Sequence, residues 1–107
     1  RDFSDVRDVV RAYRLILEGG RASEAYNVGS GVSRSLRDLL ATIVGFSSQE
    51  IEVEVDPGLL RPSDNPVIWC DYGKAERELD WRPERSLDDT LREIYEGFLR
   101  DMAGPDR

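Results

Sequence analysis

The sequence predicts an α/β fold of about four helices and short strands, on three observations. Apolar residues recur every three or four positions along capped stretches near both ends of the chain, residues 51–55 alternate apolar with acidic, and glycine or proline punctuates most of what lies between. The 107 residues make one domain's worth, taken as a single unit over 1–107. Chains of this length bury about two thirds of the surface they expose when unfolded, so the expected core is real but small.

Along residues 6–17, Val6, Val9, Val10, Tyr13, Ile16 and Leu17 form one stripe, and Arg7, Arg11, Arg14 and Glu18 lie opposite. That is the pattern of an amphipathic helix with its apolar face inward. Asp5 is placed to cap its start, and Gly19-Gly20 to end it through a left-handed residue. Residues 25–28 read as a short buried strand entering a tight Gly29-Ser30-Gly31 turn. A second helix follows over 36–44, with Ser35 as its cap and Asp38 three residues on. Ile51, Val53 and Val55 alternate with Glu52 and Glu54, which predicts a strand with one wet face. Pro57, Pro62 and Pro66 bound a loop around Arg61. Residues 67–70 are an apolar run too brief for a helix, with Cys70 as a small apolar residue at a strand end. Asp71 is expected to cap a short helix through Leu79, ended by Trp81-Arg82-Pro83 because proline excludes its predecessor from helical geometry. The last helix is announced by Ser86 with Asp89 three residues later, and its stripe runs from Leu87 through Leu91, Ile94 and Phe98 to Met102. Residues 103–107 are expected to fray.

Composition removes several classes of function. A net charge of −7 and a pI near 4.6 exclude general binding to nucleic acid or an anionic membrane, which require a basic footprint. A phosphate-bearing ligand must then be held by local positive charge. The sequence has no histidine and one cysteine, so serine-triad, cysteine-histidine and zinc-hydrolase chemistry fall away, as does an internal disulfide. No apolar run has the length of a membrane span and no secretory start is present, which points to the cytoplasm. The chain opens on Arg1-Asp2-Phe3 without a methionine and reads as part of something longer.

Among candidate chemistries, Gly29-Ser30-Gly31 has the look of a dinucleotide-binding turn but fails the fingerprint, because Arg34 stands where its third glycine would be. It reads as a turn with positive φ angles. Arg1 and Arg61 carry the better case. A guanidinium presents a planar fork of donors that grips phosphate oxygens in pairs, and a diphosphate wants two such forks. The alternative is surface ion pairing, Arg61 with Asp64 and Arg1 with Asp2 or Asp5. Asp64 has the acceptors to take two ribose hydroxyls, or to cap a turn. Glu52 and Glu54 read as a solvated strand face, and Trp69 and Trp81 as core or loop anchors.

Four segments, RDFSDVRDVVRAY at 1–13, EAYNVGSG at 24–31, LRPSDNPVIWCD at 60–71 and KAERELDWRPERSLDDTL at 74–91, together resemble the C-terminal part of extended short-chain dehydrogenases acting on nucleotide-sugars. The block around Arg61 is most similar to the GDP-mannose branch, the 4,6-dehydratase and the GDP-4-keto-6-deoxymannose reductase. The resemblance implies a C-terminal lobe of the NAD(P)-binding Rossmann superfamily, with the Rossmann core itself absent from these residues. It implies that Arg1 and Arg61 converge on the substrate diphosphate, that Asp64 lies near the nucleoside and that Asn27 is a positioning residue. Asp80 departs from the pattern, standing where glycine commonly precedes the tryptophan.

No tyrosine here has a lysine four residues on, so the resemblance implies an inactive lobe whose parent enzyme holds NAD(P) and the catalytic pair upstream. In that parent, the sugar is oxidised at C4, water leaves across C5 and C6, and hydride returns. The implied partners are a GDP-mannose-type nucleotide-sugar and the chain's own N-terminal Rossmann domain, with no native dimer made by this part. Two other readings stay open. One is an epimerase lobe, and the other a non-enzymatic helical module that docks a partner protein.

Overall fold

The computed structural model describes residues 1–59 and 67–103. Four helices organise them: α1 (Val6–Gly19), α2 (Leu36–Phe46), α3 (Gly73–Leu79) and α4 (Leu87–Met102). Three of the four begin on a side-chain cap. The carboxylate of Asp5 accepts from the Arg7 amide, and the hydroxyls of Ser35 and Ser86 accept from the amides of Asp38 and Asp89. Each cap satisfies a donor that the first helical turn leaves unpaired.

The expected strands are absent among the described residues, where the only bridge joins Asp2 to Ser33 in antiparallel sense. Residues 51–55 carry the right alternation yet lie exposed, without a ladder. Alternation gives a segment two faces, but a strand exists only when a second backbone lies beside it.

The helices pack as two pairs, α1 with α3 and α2 with α4. Ala12 of α1 and Ala75 of α3 are fully buried, and their small side chains let the helices close on Trp81, which is 1% exposed. Leu15, Tyr26, Val28, Tyr72 and Leu79 pack around them, with the Tyr72 and Trp81 rings edge to face at 5.6 Å. The indole nitrogen donates to the Asp8 carbonyl at 3.0 Å, so Trp81 buries its ring without orphaning its polar atom. Trp69, by contrast, is largely exposed. In the second pair Leu39 and Leu91 are buried, and Phe46 lies 5.8 Å from Tyr95 with the Arg92 guanidinium over its face.

Two buried acids of α1 and its cap join the pairs. Asp5 accepts from the Thr90 hydroxyl of α4 at 2.7 Å as well as from Arg7, which reaches on to Glu93. Asp8 accepts from the amides of Glu84 and Arg85, both at 3.2 Å, fixing the connection between Trp81 and α4.

The buried side of α1 is therefore Asp8 and Ala12, with Arg11 half-buried over the indole, whereas Val6, Val10, Tyr13 and Leu17 face outward. Of the expected stripe, Val9 and Ile16 are half-buried and the other four residues face solvent, so the inner side of α1 is turned away from the one expected. Ile94, Phe98 and Met102 of α4 are likewise exposed. The accessible surface is 8601 Å², against about 6,100 Å² for a compact chain of this mass. Its radius of gyration of 17.5 Å exceeds the roughly 13 Å of a compact domain, as suits a plate of 50 × 42 × 20 Å. No helix among the described residues is long and apolar enough to cross a membrane.

Helix ends depart from expectation in two places. Gly20 ends α1 in extended conformation at φ −72°, its amide bonded to the Ile16 carbonyl, so no left-handed residue is used. At α3, Tyr72 rather than Asp71 occupies the cap position, and the Asp71 carboxylate accepts instead from the Gly73 amide. The helix stops at Asp80, which sits left-handed at φ 53°, ψ 37°, and the Trp81 amide returns to the Ala75 carbonyl. That is a Schellman-type ending, which favours glycine. Pro83 is not needed for it. Asp80→Gly is expected to raise stability by about 0.5–1 kcal/mol, because an L side chain is strained at positive φ. Its 4.0 Å approach to Arg82 is solvent-exposed and contributes little. A denaturant midpoint that fell in the glycine variant would contradict this account.

Candidate functional site

The first two residues lie along the segment that follows the Gly29-Ser30-Gly31 turn. Arg1 is held there by its main chain: its nitrogen donates to the Arg34 carbonyl at 2.8 Å, and the Arg34 amide returns to the Arg1 carbonyl at 2.7 Å. Asp2 then turns its carboxylate the other way and gathers four donors. One oxygen accepts from the Ser30 amide at 2.9 Å and the Ser30 hydroxyl at 2.6 Å, the other from the Gly31 amide at 2.9 Å and the Cys70 amide at 2.8 Å. Three segments distant in sequence meet at this one side chain.

Burial of Asp2 opposes its ionisation, but the Ser30 hydroxyl and the amides of Cys70, Ser30 and Gly31 outweigh it and hold the carboxyl below its ordinary value. The thiol of Cys70 is pushed up, first by burial and then by the charges of Asp2 and Asp71. It is half-buried and, with no strand present among the described residues, ends none. Gly29 is needed beneath it, since a Cβ at position 29 would stand 2.4 Å from the Cys70 Cβ. Of the glycines in the turn, only Gly31 adopts positive φ, at 78°. The turn amides already bond Asp2, so they do not offer the vacant donors that a dinucleotide pyrophosphate requires.

Neither ion-pairing alternative for Arg1 is realised. Asp2 serves the turn and Cys70, and Asp5 serves Arg7 and Thr90. The Arg1 side chain is exposed and forms no ion pair with the described residues. Asn27 is exposed between Tyr26 and Val28, both of which pack against the core. Arg61 and Asp64, with Pro62 and Pro66, lie outside the described residues, as do residues 104–107. Two shallow depressions flank the Asp2 junction, one lined by Gly31, Trp69, Cys70 and Tyr72, the other by Phe3, Ser30, Arg34 and Arg85. Arg1 and Asn27 line neither of them.

Sequence reasoning reaches Asp2 only as a counter-ion for Arg1. The signal that would find its role is the turn itself, whose closely spaced amides need an acceptor that the local chain does not provide.

The family model for GDP-mannose 4,6 dehydratase matches residues 1–94. The chain belongs to that family. The GDP-6-deoxy-D-mannose reductase of Pseudomonas aeruginosa is 32% identical over 94 residues, covering 88% of this chain and 31% of that protein. A UDP-glucose 4-epimerase of Caenorhabditis elegans is 29% identical over 109 residues, covering 97% of this chain and 31% of its own length. The solved structure of RMD from Pseudomonas aeruginosa complexed with NADPH superposes with a TM-score of 0.80 at 30% identity, over 90% of this chain and 31% of that one. The chain thus spans about a third of the length of the curated relatives it matches. A four-helix arrangement that superposes on such enzymes is the fold that the family resemblance implies, without the short strands.

Proposed function

We propose that residues 1–107 form the substrate-gripping lobe of a longer nucleotide-sugar dehydratase or reductase of the GDP-mannose type, inactive alone. The observation that carries this reading is Arg1. Its guanidinium is exposed and has no ion-pair partner among the described residues, while its main chain is fixed by Arg34 and the neighbouring Asp2. An arginine left open on a chain of net charge −7 is what a diphosphate ligand needs. Arg61, carried by the segment leading to Cys70, supplies the second fork in this reading, with Asp64 at the nucleoside and Asn27 positioning the ligand.

NAD(P), where the parent enzyme uses it, is held outside this lobe, since the Gly29-Ser30-Gly31 turn does not fit it. The remainder of the polypeptide, a nucleotide-binding domain on this reading, covers the apolar stripe of Val6, Val10, Tyr13 and Leu17. That cover accounts for an accessible surface too large for a self-contained domain of this mass.

In the full-length enzyme Arg61→Ala is expected to raise KM by about 1.5–3 kcal/mol, or roughly 10- to 150-fold, the range for hydrogen bonds to charged groups. An unchanged KM would remove Arg61 from the site. The epimerase relative supports the same grip applied to another sugar nucleotide. Calorimetric titration of the full-length protein with GDP-mannose and with UDP-glucose separates the two. Tighter binding of GDP-mannose favours the dehydratase or reductase reading, and tighter binding of UDP-glucose the epimerase one.

A further inference from the structure

We infer that Asp2 is the positioning residue of the diphosphate grip, setting the place of Arg1 by locking its segment to the Ser30 turn and to Cys70. The inference rests on Arg1 gripping the diphosphate and adds to it the group that makes Arg1 effective. Successive residues of an extended segment face opposite ways, so anchoring Asp2 inward leaves the Arg1 side chain outward. Each Asp2 oxygen takes two donors, and all four come from residues 30, 31 and 70. One carboxylate therefore ties the segment of Arg1 to the turn that follows Asn27 and to Cys70.

Asparagine cannot replace it. Its amide nitrogen would face two N–H donors on the side of Gly31 and Cys70, or the Ser30 N–H on the other side, where only the hydroxyl can reverse and accept, so at least one backbone hydrogen bond is lost in either rotamer. Glutamate is longer by a methylene and would force the segments apart.

The test is made on the full-length protein with GDP-mannose as the probe, by calorimetry and steady-state kinetics, comparing Asp2→Asn and Ser30→Ala in the presence of Arg1 and in an Arg1→Ala background. Asp2→Asn is expected to raise the Kd and KM for GDP-mannose about tenfold, the order expected when a gripping group is misplaced by a fraction of an ångström to an ångström. Affinity for NADPH and kcat should stay within about twofold, and in the Arg1→Ala background the same change should add less than about twofold, because a group acting through Arg1 has nothing left to position. Should Asp2→Asn fail to bind NADPH and prove unfolded, Ser30→Ala removes one of the four donors and reads the same coupling, at about threefold with Arg1 present and none without it. If Arg1→Ala weakens GDP-mannose binding while neither Asp2→Asn nor Ser30→Ala does, or if their effects multiply independently of Arg1, the positioning role is wrong and the reading of the lobe survives. If Arg1→Ala leaves GDP-mannose binding unchanged, the reading of Arg1 fails, and this inference with it.

Discussion

Replacing Trp81 with alanine is expected to destabilise the protein by about 3–5 kcal/mol, the range for truncating a buried aromatic side chain. Trp81 is the largest fully buried side chain among the described residues, and the alanines beside it have no bulk to collapse into the space it leaves. Tyr72 loses the ring it meets edge on, and the Asp8 carbonyl loses the indole donor. Trp81→Phe separates the two contributions. It keeps most of the apolar volume while leaving Asp8 without that donor, and should cost about 1–3 kcal/mol. Urea unfolding of the wild type and both variants, compared at equal m-values, measures the order directly. A Trp81→Ala midpoint close to wild type would show that the α1–α3 pair is not held together by this residue.

Asp5→Ala carries the second large effect, a loss of about 2.5–4 kcal/mol, combining a helix cap of about 1 kcal/mol with charge-assisted bonds of about 1.5–3 kcal/mol. The residue is 5% exposed and bridges α1 to Thr90 of α4, so its removal loosens the joint between the helix pairs. The charge itself has a pH signature. The side-chain hydrogen bond from Arg7 holds the Asp5 carboxyl well below its ordinary value of 3.8, against the opposing effect of burial, and the Thr90 hydroxyl and Arg7 amide help. A carboxyl with a depressed native pKa stabilises the fold above its unfolded pKa and loses that contribution as the pH falls through the native one. Asp5→Asn keeps the cap but not the charge. The stability gap between wild type and Asp5→Asn should accordingly be full at pH 7 and shrink below about pH 4, where the unfolded carboxyl takes up its proton. A gap that stayed constant from pH 7 to pH 3 would mean that the ionised form is not favoured by the fold. Asp2, also held below its ordinary value, adds acid sensitivity in the same window.

What is legible in the sequence is mostly local. Ser35 and Ser86 mark their helices because a cap and the amide it serves lie three residues apart, and Asp5 marks α1 in a similar way. The expected strands fail because pairing is non-local: residues 51–55 alternate faithfully but no described backbone lies beside them. In α1 the apolar period finds the helix and misassigns its inner side. The stripe of Val6, Val9, Val10, Tyr13, Ile16 and Leu17 reads as the core face, yet only Val9 and Ile16 of it are half-buried, whereas Asp8 and Ala12 go inward because the indole and the amides of Glu84 and Arg85 need them there. A hydrophobic period reports that a face wants covering, not which body covers it. Arg1 stands out through the chemistry of its fork, but Asp2 and Asp8 do not. A carboxylate bonded to amides some thirty or seventy positions away leaves no periodic trace.

The tight approach of Gly29 to Cys70 gives the molecule a built-in clock. As the one sulfhydryl in the sequence, Cys70 makes any alkylating dye report from a single place. Burial and two neighbouring negative charges push that thiol above its ordinary value, and the backbone at residue 29 covers one side of it. The speed of dye uptake is therefore expected to rise in variants that loosen the junction of the three segments, and Ser30→Ala, which removes one donor to Asp2, is the mildest of them.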